Sequence, residues 1–271
     1  MKHLIVTYGA KQSGKTTSIT ELYAFIMTQK GLIPSCKIDP NGKLYIVYSD
    51  EECVPFDIDD NHPQMMEFKQ NEVWPYVKHV NFADALKNSV IEIFSIPREL
   101  VYGTDAQKNT LTHIRWSDVL HMATDYRHRQ LADKLGNFMT VRELLQFFGT
   151  DICRSFDKNC HIRSAFTKLI NSDTEIGCIP DGRFENEFEF FDLPEVKAEL
   201  EAKGTKVWRI KLKKNIHPNN PPGEQGLPEI SEDRYDLVLH NEEMPVLEKN
   251  LHFINFLLSK EVISPIGLAR Q

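Results

Sequence analysis

The chain has 271 residues, 41% of them hydrophobic and 26% charged, a balance that supports a folded core and excludes a fibrous repeat or a disordered polymer. That length suits one large domain with insertions. A formal net charge of −7 argues against a surface built to neutralise many duplex phosphates, so duplex DNA is not an expected partner. A pocket for a small nucleotide remains compatible, since it needs only a few inward-facing cations.

Five cysteines, Cys36, Cys53, Cys153, Cys160 and Cys178, include no C-x-x-C pair and signal neither a zinc site nor a disulfide framework. A reducing cytoplasm is expected. Leu4 to Tyr8 reads as a short buried strand, too brief for a membrane span and without a signal-peptide cleavage pattern, so no membrane partner is expected.

After that strand, Gly9-Ala10-Lys11-Gln12-Ser13-Gly14-Lys15-Thr16 fits G-x-x-x-x-G-K-[ST] at every defined position, and a helix is expected from Thr17 to Met27. Glycines let the backbone approach phosphates, successive N–H groups form an anion nest, and the helix N-terminus adds positive potential. Gly9, Lys11, Ser13, Gly14, Lys15, Thr16 and Thr17 are therefore candidate contacts to a nucleoside triphosphate. Lys15 supplies a mobile charge for the β- and γ-phosphates, and the Thr16 hydroxyl is placed to ligate Mg²⁺. The motif alone implies phosphate binding, which ATPases, GTPases and small-molecule kinases share.

Residues 34–78 change in character, with an alternating Leu44-Tyr45-Ile46-Val47-Tyr48 and an acid-rich run through Asp50, Glu51, Glu52, Asp57, Asp59 and Asp60. This reads as an inserted strand or hairpin with a solvated rim. From Val80 a strand end passes into a helix with Leu86, Val90, Ile93 and Phe94 near helical spacing, capped by Asn81 or Asp84.

Arg142 and Gln146 stand four residues apart and share a helix face opposite Val141, Leu144, Leu145 and Phe148. An arginine fork suits a phosphate and a glutamine amide suits a base edge; the plain alternative is a surface ion pair for Arg142 and a helix-forming polar residue at Gln146. Ile176 to Asp181 reads as a buried strand ending in a carboxylate, where a group holding Mg²⁺ or its water belongs. Arg183 then offsets charge on a transferred phosphate, or pairs with Glu185 or Glu187.

A charged helix is expected over 194–203, followed by a strand from Val207 to Leu212 on which Arg209 and Lys211 face the same side. They either meet the phosphates when a loop closes or line a solvated strand edge. The breaker-rich run from His217 to Pro228 suits a lid. Asp236 to Asn241 reads as the last core strand, and a helix over 246–258 as packing.

Several of these segments resemble the phage-type deoxynucleoside monophosphate kinases. The similarity is carried by Phe82-Ala83-Asp84 with Leu86-Lys87, by the stretch from Ile96 to Thr104 with Lys108-Asn109-Thr110 and Arg115-Trp116, and by Arg142, Gln146 and Gly149-Thr150-Asp151. It continues in Pro180-Asp181 with Arg183-Phe184 and Asn186-Glu187, and in Asp236, Val238 and Asn241. It covers most of the chain as scattered segments and is weakest over 34–78.

The resemblance implies an α/β P-loop kinase fold with a central parallel sheet flanked by helices, a single domain over 1–271, an insertion at about 34–78 and a lid at about 209–234. It implies ATP and Mg²⁺, and γ-phosphoryl transfer to a deoxynucleoside monophosphate for phage DNA precursor synthesis in the host cytoplasm, often by a homodimer. Lys15, Asp181 and Arg183 are then catalytic, Thr16 and Asp181 metal-binding, and Arg209 and Asn241 nucleotide-binding. Lys87, Arg142, Gln146, Asp151 and His161 fall on the monophosphate side. His161 departs from the tryptophan common in the family: its ring either stacks on a base with less apolar area than an indole or is an ordinary satisfied or exposed histidine. Two rivals remain: a P-loop kinase acting on a modified nucleotide or a modified base in DNA, and a nucleotide-dependent switch, for which no N-K-x-D guanine motif is present.

Overall fold

The computed structural model of the chain describes residues 1–10, 12–49, 52–123, 136–213, 230–241 and 244–265. The chain divides into two compact units, residues 1–80 with 168–271, and residues 81–167.

The first unit starts with β1 (His3–Tyr8), buried from Leu4 onward, and turns through the glycine loop into α1 (Lys15–Gln29). The helix starts two residues before the apolar pattern does, because Gly14 takes the left-handed conformation at its N-cap, with φ 90°. Residues 34–78 form more than a hairpin. β2 (Cys36–Ile38), β3 (Leu44–Val47) and β4 (Cys53–Phe56) make an antiparallel three-stranded sheet, followed by α2 (Pro63–Phe68) and β5 (Val77–His79). Leu44, Ile46, Phe56 and Ile58 share a core with Ile19, Leu22, Tyr23 and Ile26 of α1, so this sheet is anchored by apolar burial. The acids beyond it shape turns: Asp57 and Asp60 accept the backbone N–H groups of Asp59 and His62, and the Lys69 ammonium donates to the carbonyls of Ile58 and Asp60.

The second unit contains α3 (Ala83–Phe94), single helical turns at Arg98–Val101 and Asp105–Lys108, and the antiparallel pair β6 (Leu111–Arg115) and β7 (Phe138–Thr140). α4 (Val141–Phe147) follows, started by a capping box in which Thr140 and Glu143 exchange side-chain and backbone hydrogen bonds. Val90, Ile96, Val101, Trp116, Met139, Val141, Leu144 and Phe147 form its core. α5 (Cys160–Ile170) then carries the chain back to the first unit.

There β8 (Ile176–Gly182), α6 (Glu185–Glu189), α7 (Pro194–Ala202), β9 (Lys206–Lys213), β10 (Leu237–His240) and α8 (Val246–Ser259) complete the fold. Among the described residues the central sheet has five strands in the order β10-β9-β1-β8-β5, and every pairing is parallel. Helices flank it, which is what covers the two apolar faces of a parallel sheet. The chain runs from β1 out to β5, returns to β8, and then crosses to β9 and β10 on the other side. β1 therefore lies where the winding reverses, and the carboxyl end of such a strand is where open α/β sheets form their ligand crevice. β9 is an interior strand, so Arg209 and Lys211 do not line a sheet edge.

Candidate functional site

The glycine loop leaves the carboxyl end of β1 beside a bulge. Val6 is in register with Ile179 but Tyr8 with Gly182, so Pro180 and Asp181 together oppose Thr7. The extra residue bends β8 and re-aims its end, and Pro180, which has no N–H to offer, sits where the ladder is already interrupted. Gly9 N–H donates to the Gly182 carbonyl at 3.2 Å. Gly9 has φ 151°, and a Cβ there would come within 2.4 Å of the Leu212 carbonyl oxygen and 2.8 Å of Ser13 Oγ. The first glycine is thus demanded by β9 as well as by any approach of phosphate to the backbone.

Lys15 is 6% exposed, and its ammonium donates to the Gly9 carbonyl at 2.7 Å, the Ala10 carbonyl at 2.5 Å and Ser13 Oγ at 3.4 Å. Burial, reinforced by the Arg183 charge and opposed by Asp181, lowers its pKa from 10.5 to about 8. Lys15 accordingly feels the charges of both Asp181 and Arg183, so the structure brings these two candidates within electrostatic reach of Lys15. Asp181 is half-buried at the end of β8. The buried Glu187 carboxylate accepts the backbone N–H groups of Arg183 at 2.7 Å and Phe184 at 3.0 Å, so it fixes the turn that carries Arg183.

Thr16 lies exposed in the first turn of α1. Thr17 is taken up differently: a Cβ on Gly42 would fall 2.6 Å from Thr17 Cγ2, so the β2–β3 turn packs on this side chain. Lys11 and residues 214–229 of the expected lid lie outside the described residues, and residues 209–213 of that range belong to β9.

Two side chains brace the loop from behind. Asn241, which the resemblance places among the nucleotide contacts, donates from Nδ2 to the Ser13 carbonyl at 2.8 Å, while its own N–H donates to the Lys213 carbonyl at 2.8 Å. Lys249, on the helix read as packing, is 1% exposed and donates to the Gly14 carbonyl at 2.9 Å. Burial lowers its pKa from 10.5 to about 8, with Glu21 opposing. Asn250 donates to Glu21 at 3.0 Å and ties α8 to α1. The signal in the sequence was the register of α8: Lys249, Asn250, Phe253, Ile254 and Leu257 form one buried stripe, which puts a lysine among apolar neighbours.

Arg209 is engaged elsewhere. Its guanidinium pairs with Asp192 at 3.1 Å and lies 4.6 Å over the Phe188 ring, in an aromatic cluster with Tyr8 and Tyr235. It is level with Val6, two residues short of the end of β1. Lys211 is level with Tyr8, and its ammonium donates to the Ile230 carbonyl at 3.4 Å.

In the second unit Arg142 does make the surface ion pair that its spacing left open, to Asp105 at 2.6 Å, and it also donates to Asn109 Oδ1 at 3.3 Å. Lys87 lies 4.6 Å over the Tyr102 ring and Arg98 4.5 Å from the same ring. Burial and then the Lys87 charge depress the pKa of Lys108, with Asp105 opposing and Arg142 adding to the effect. Lys87 and Arg142 therefore both act on Lys108, which the sequence offered only as part of the resemblance and not as a site residue. Gln146 is exposed and Asp151 fully buried. His161 donates from Nε2 to the Gly149 carbonyl at 3.3 Å, which ties α5 to the turn after α4. No family model matches this chain, and no curated protein matches it in sequence.

Proposed function

We propose that the chain is an ATP-dependent deoxynucleoside monophosphate kinase of P-loop type. The observation that carries this reading is Lys15: a buried ammonium held by the oxygens of a glycine loop at the winding reversal of a parallel sheet, in electrostatic reach of Asp181 and Arg183. Such a lysine is costly without an anion and is stabilised by one.

On this reading Lys15 exchanges loop carbonyls for the β- and γ-phosphate oxygens of ATP, and the loop N–H groups hold the remainder. The exposed Thr16 hydroxyl and the half-buried Asp181 carboxylate are hard oxygen donors suited to Mg²⁺, which when bound neutralises phosphate charge. A monophosphate oxygen attacks the γ-phosphorus in line, the bond from that phosphorus to the β,γ-bridging oxygen breaks, and ADP leaves with the electron pair. Lys15 and Arg183 offset charge on the transferred group, and a phosphate nucleophile needs no side-chain base. Lys87 and Arg142 supply cations for the acceptor.

The test is ADP release with ATP and Mg²⁺ against each deoxynucleoside monophosphate, its ribose counterpart and no acceptor, with product diphosphates identified directly. Diphosphate formed only with an acceptor is the expected result. ADP release indifferent to acceptor would leave a nucleotide-hydrolysing switch and overturn the kinase.

A further inference from the structure

The antiparallel sheet of β2, β3 and β4 comes back to the glycine loop at one turn. Asp39 fixes that turn, between β2 and β3. Its carboxylate accepts the N–H groups of Asn41 and Lys43 at 2.9 Å each, its carbonyl accepts Gly42 N–H at 2.9 Å, and its own N–H donates to the Lys43 carbonyl at 2.9 Å. Behind the turn Leu44 and Ile46 are buried in one core with α1, which leaves the turn little freedom to move against that helix. At its tip Gly42 has φ 83°, and a Cβ there would fall 2.6 Å from Cγ2, 2.9 Å from Oγ1 and 3.3 Å from Cβ of Thr17. All three contacts are to one side chain, in the first turn of α1 and next in sequence to Lys15 and Thr16.

Thr17 differs from the hydroxyls that follow it. Ser18 donates back to the Gly14 carbonyl at 3.3 Å and Thr20 to the Thr16 carbonyl at 3.1 Å. Among the described residues the Thr17 hydroxyl makes no hydrogen bond, although the side chain is half-buried under the turn. A β-branched side chain has few rotamers on a helix, and packing against Gly42 selects among them without consuming the hydroxyl.

We propose that Gly42 is a positioning residue of the triphosphate site: the β2–β3 turn sets the rotamer of Thr17, and the hydroxyl so held donates to a phosphate oxygen. The inserted sheet is then one wall of the nucleotide site. The inference rests on the triphosphate half of the kinase reading. Glycine is required at position 42 twice over, since a left-handed φ disfavours any side chain and Thr17 fills the space that one would need.

The experiment is calorimetric titration of the full chain with ATP and Mg²⁺, for wild type, Gly42→Ala, Gly31→Ala, Thr17→Ser and the double variant Gly42→Ala/Thr17→Ser. Gly31 is the matched control: its φ is 68° and a Cβ there meets nothing within 4 Å, so the substitution strains the backbone without touching Thr17. Gly42→Ala is expected to weaken ATP binding about tenfold through loss of a charge-assisted hydrogen bond, with Gly31→Ala within about twofold of wild type. Adding Thr17→Ser removes the methyl that the new Cβ strikes and keeps a hydroxyl, so the double variant is expected within about threefold of Thr17→Ser alone. A general loosening of the turn would not be rescued by the loss of that methyl. Unchanged affinity in Gly42→Ala, an equal loss in Gly31→Ala, or no recovery in the double variant would overturn the role of Gly42. No ATP binding by wild type would overturn it together with the phosphate loop. Phosphoryl transfer assayed in parallel separates the claims: the expected binding pattern without transfer sinks the kinase and keeps the turn, whereas transfer with unchanged variants sinks the turn alone.

Discussion

Replacing Lys249 by methionine removes the brace behind the glycine loop with little change of volume, and its consequence for stability carries a definite pH signature. The folded ammonium is 1% exposed and its pKa falls from 10.5 to about 8, a gap equivalent to about 3 kcal/mol. Between these two pH values the unfolded chain still holds the proton that the folded chain has released, so stability from this residue is fully present above 10.5 and is lost as pH falls through 8. Near pH 7 the variant escapes the burial of a charge but leaves the Gly14 carbonyl without its donor, a loss of about 1–3 kcal/mol that offsets the gain. The unfolding free energy of wild type minus that of the variant should therefore rise by about 3 kcal/mol from pH 7 to 10.5. Urea unfolding of both proteins at intervals across this range measures it, and the subtraction cancels the tyrosines and other lysines that titrate there. Parallel curves would refute the assignment of a buried, charged Lys249 under Gly14.

Lys15→Ala should abolish phosphoryl transfer while circular dichroism stays that of wild type, because its three hydrogen bonds all go to the loop; wild-type turnover would remove Lys15 from the chemistry. ATP binding at pH 8.5 to 9 should take up a proton at Lys15, since a bound polyphosphate raises a pKa that stands at about 8, and calorimetry in buffers of different ionisation enthalpy should find that uptake in wild type and lose it in Lys15→Met. Gly14→Ala puts a Cβ 2.8 Å from the Lys249 ammonium at φ 90°, so a destabilisation of about 1–3 kcal/mol by thermal melting is expected, with weaker nucleotide binding by fluorescence titration. Arg142→Ala should raise the KM for the monophosphate with the KM for ATP unchanged; equal effects on both substrates would argue against an acceptor role.

How much of the fold was legible follows from how local each determinant is. β1, the loop and α1 could be read because an uninterrupted apolar strand, a spaced glycine motif and a helical stripe follow one another within thirty residues. The sheet over 36–56 reads in the sequence only as an inserted strand or hairpin because β4 offers little pattern: it contains Pro55, and its first three residues are exposed. Its place is set by Phe56 and by Leu44 and Ile46 of β3 packing on α1, a tertiary fact. The unit over 81–167 left no boundary signal, since Val90, Trp116, Met139 and Phe147 come from separate short elements and become a core only when assembled. β9 was open between edge and interior because its exposed-looking cations, Arg209 and Lys211, are carried by aromatic rings and by Asp192 and a backbone carbonyl.

The site divides along the same line. The glycine loop lies within one short stretch of sequence, where spacing alone dictates geometry, so its residues can be named from the sequence. The groups that hold the loop come from far along the chain, Asn241 reaching Ser13 and Lys249 reaching Gly14, and only the buried register of α8 hinted at either. Their placement has a physical consequence. Two ammonium groups, Lys15 and Lys249, are buried against the carbonyl oxygens of one short segment, each with its pKa lowered to about 8. Each charge is therefore held at a cost that falls when negative charge arrives at the N–H side of the same loop, because an anion there raises both pKa values. On the proposed reading anion binding and loop stability are linked, and a phosphate at the loop should stabilise the fold more at pH 7 in wild type than in Lys249→Met. A loop that merely happened to be rich in glycine would show no such coupling.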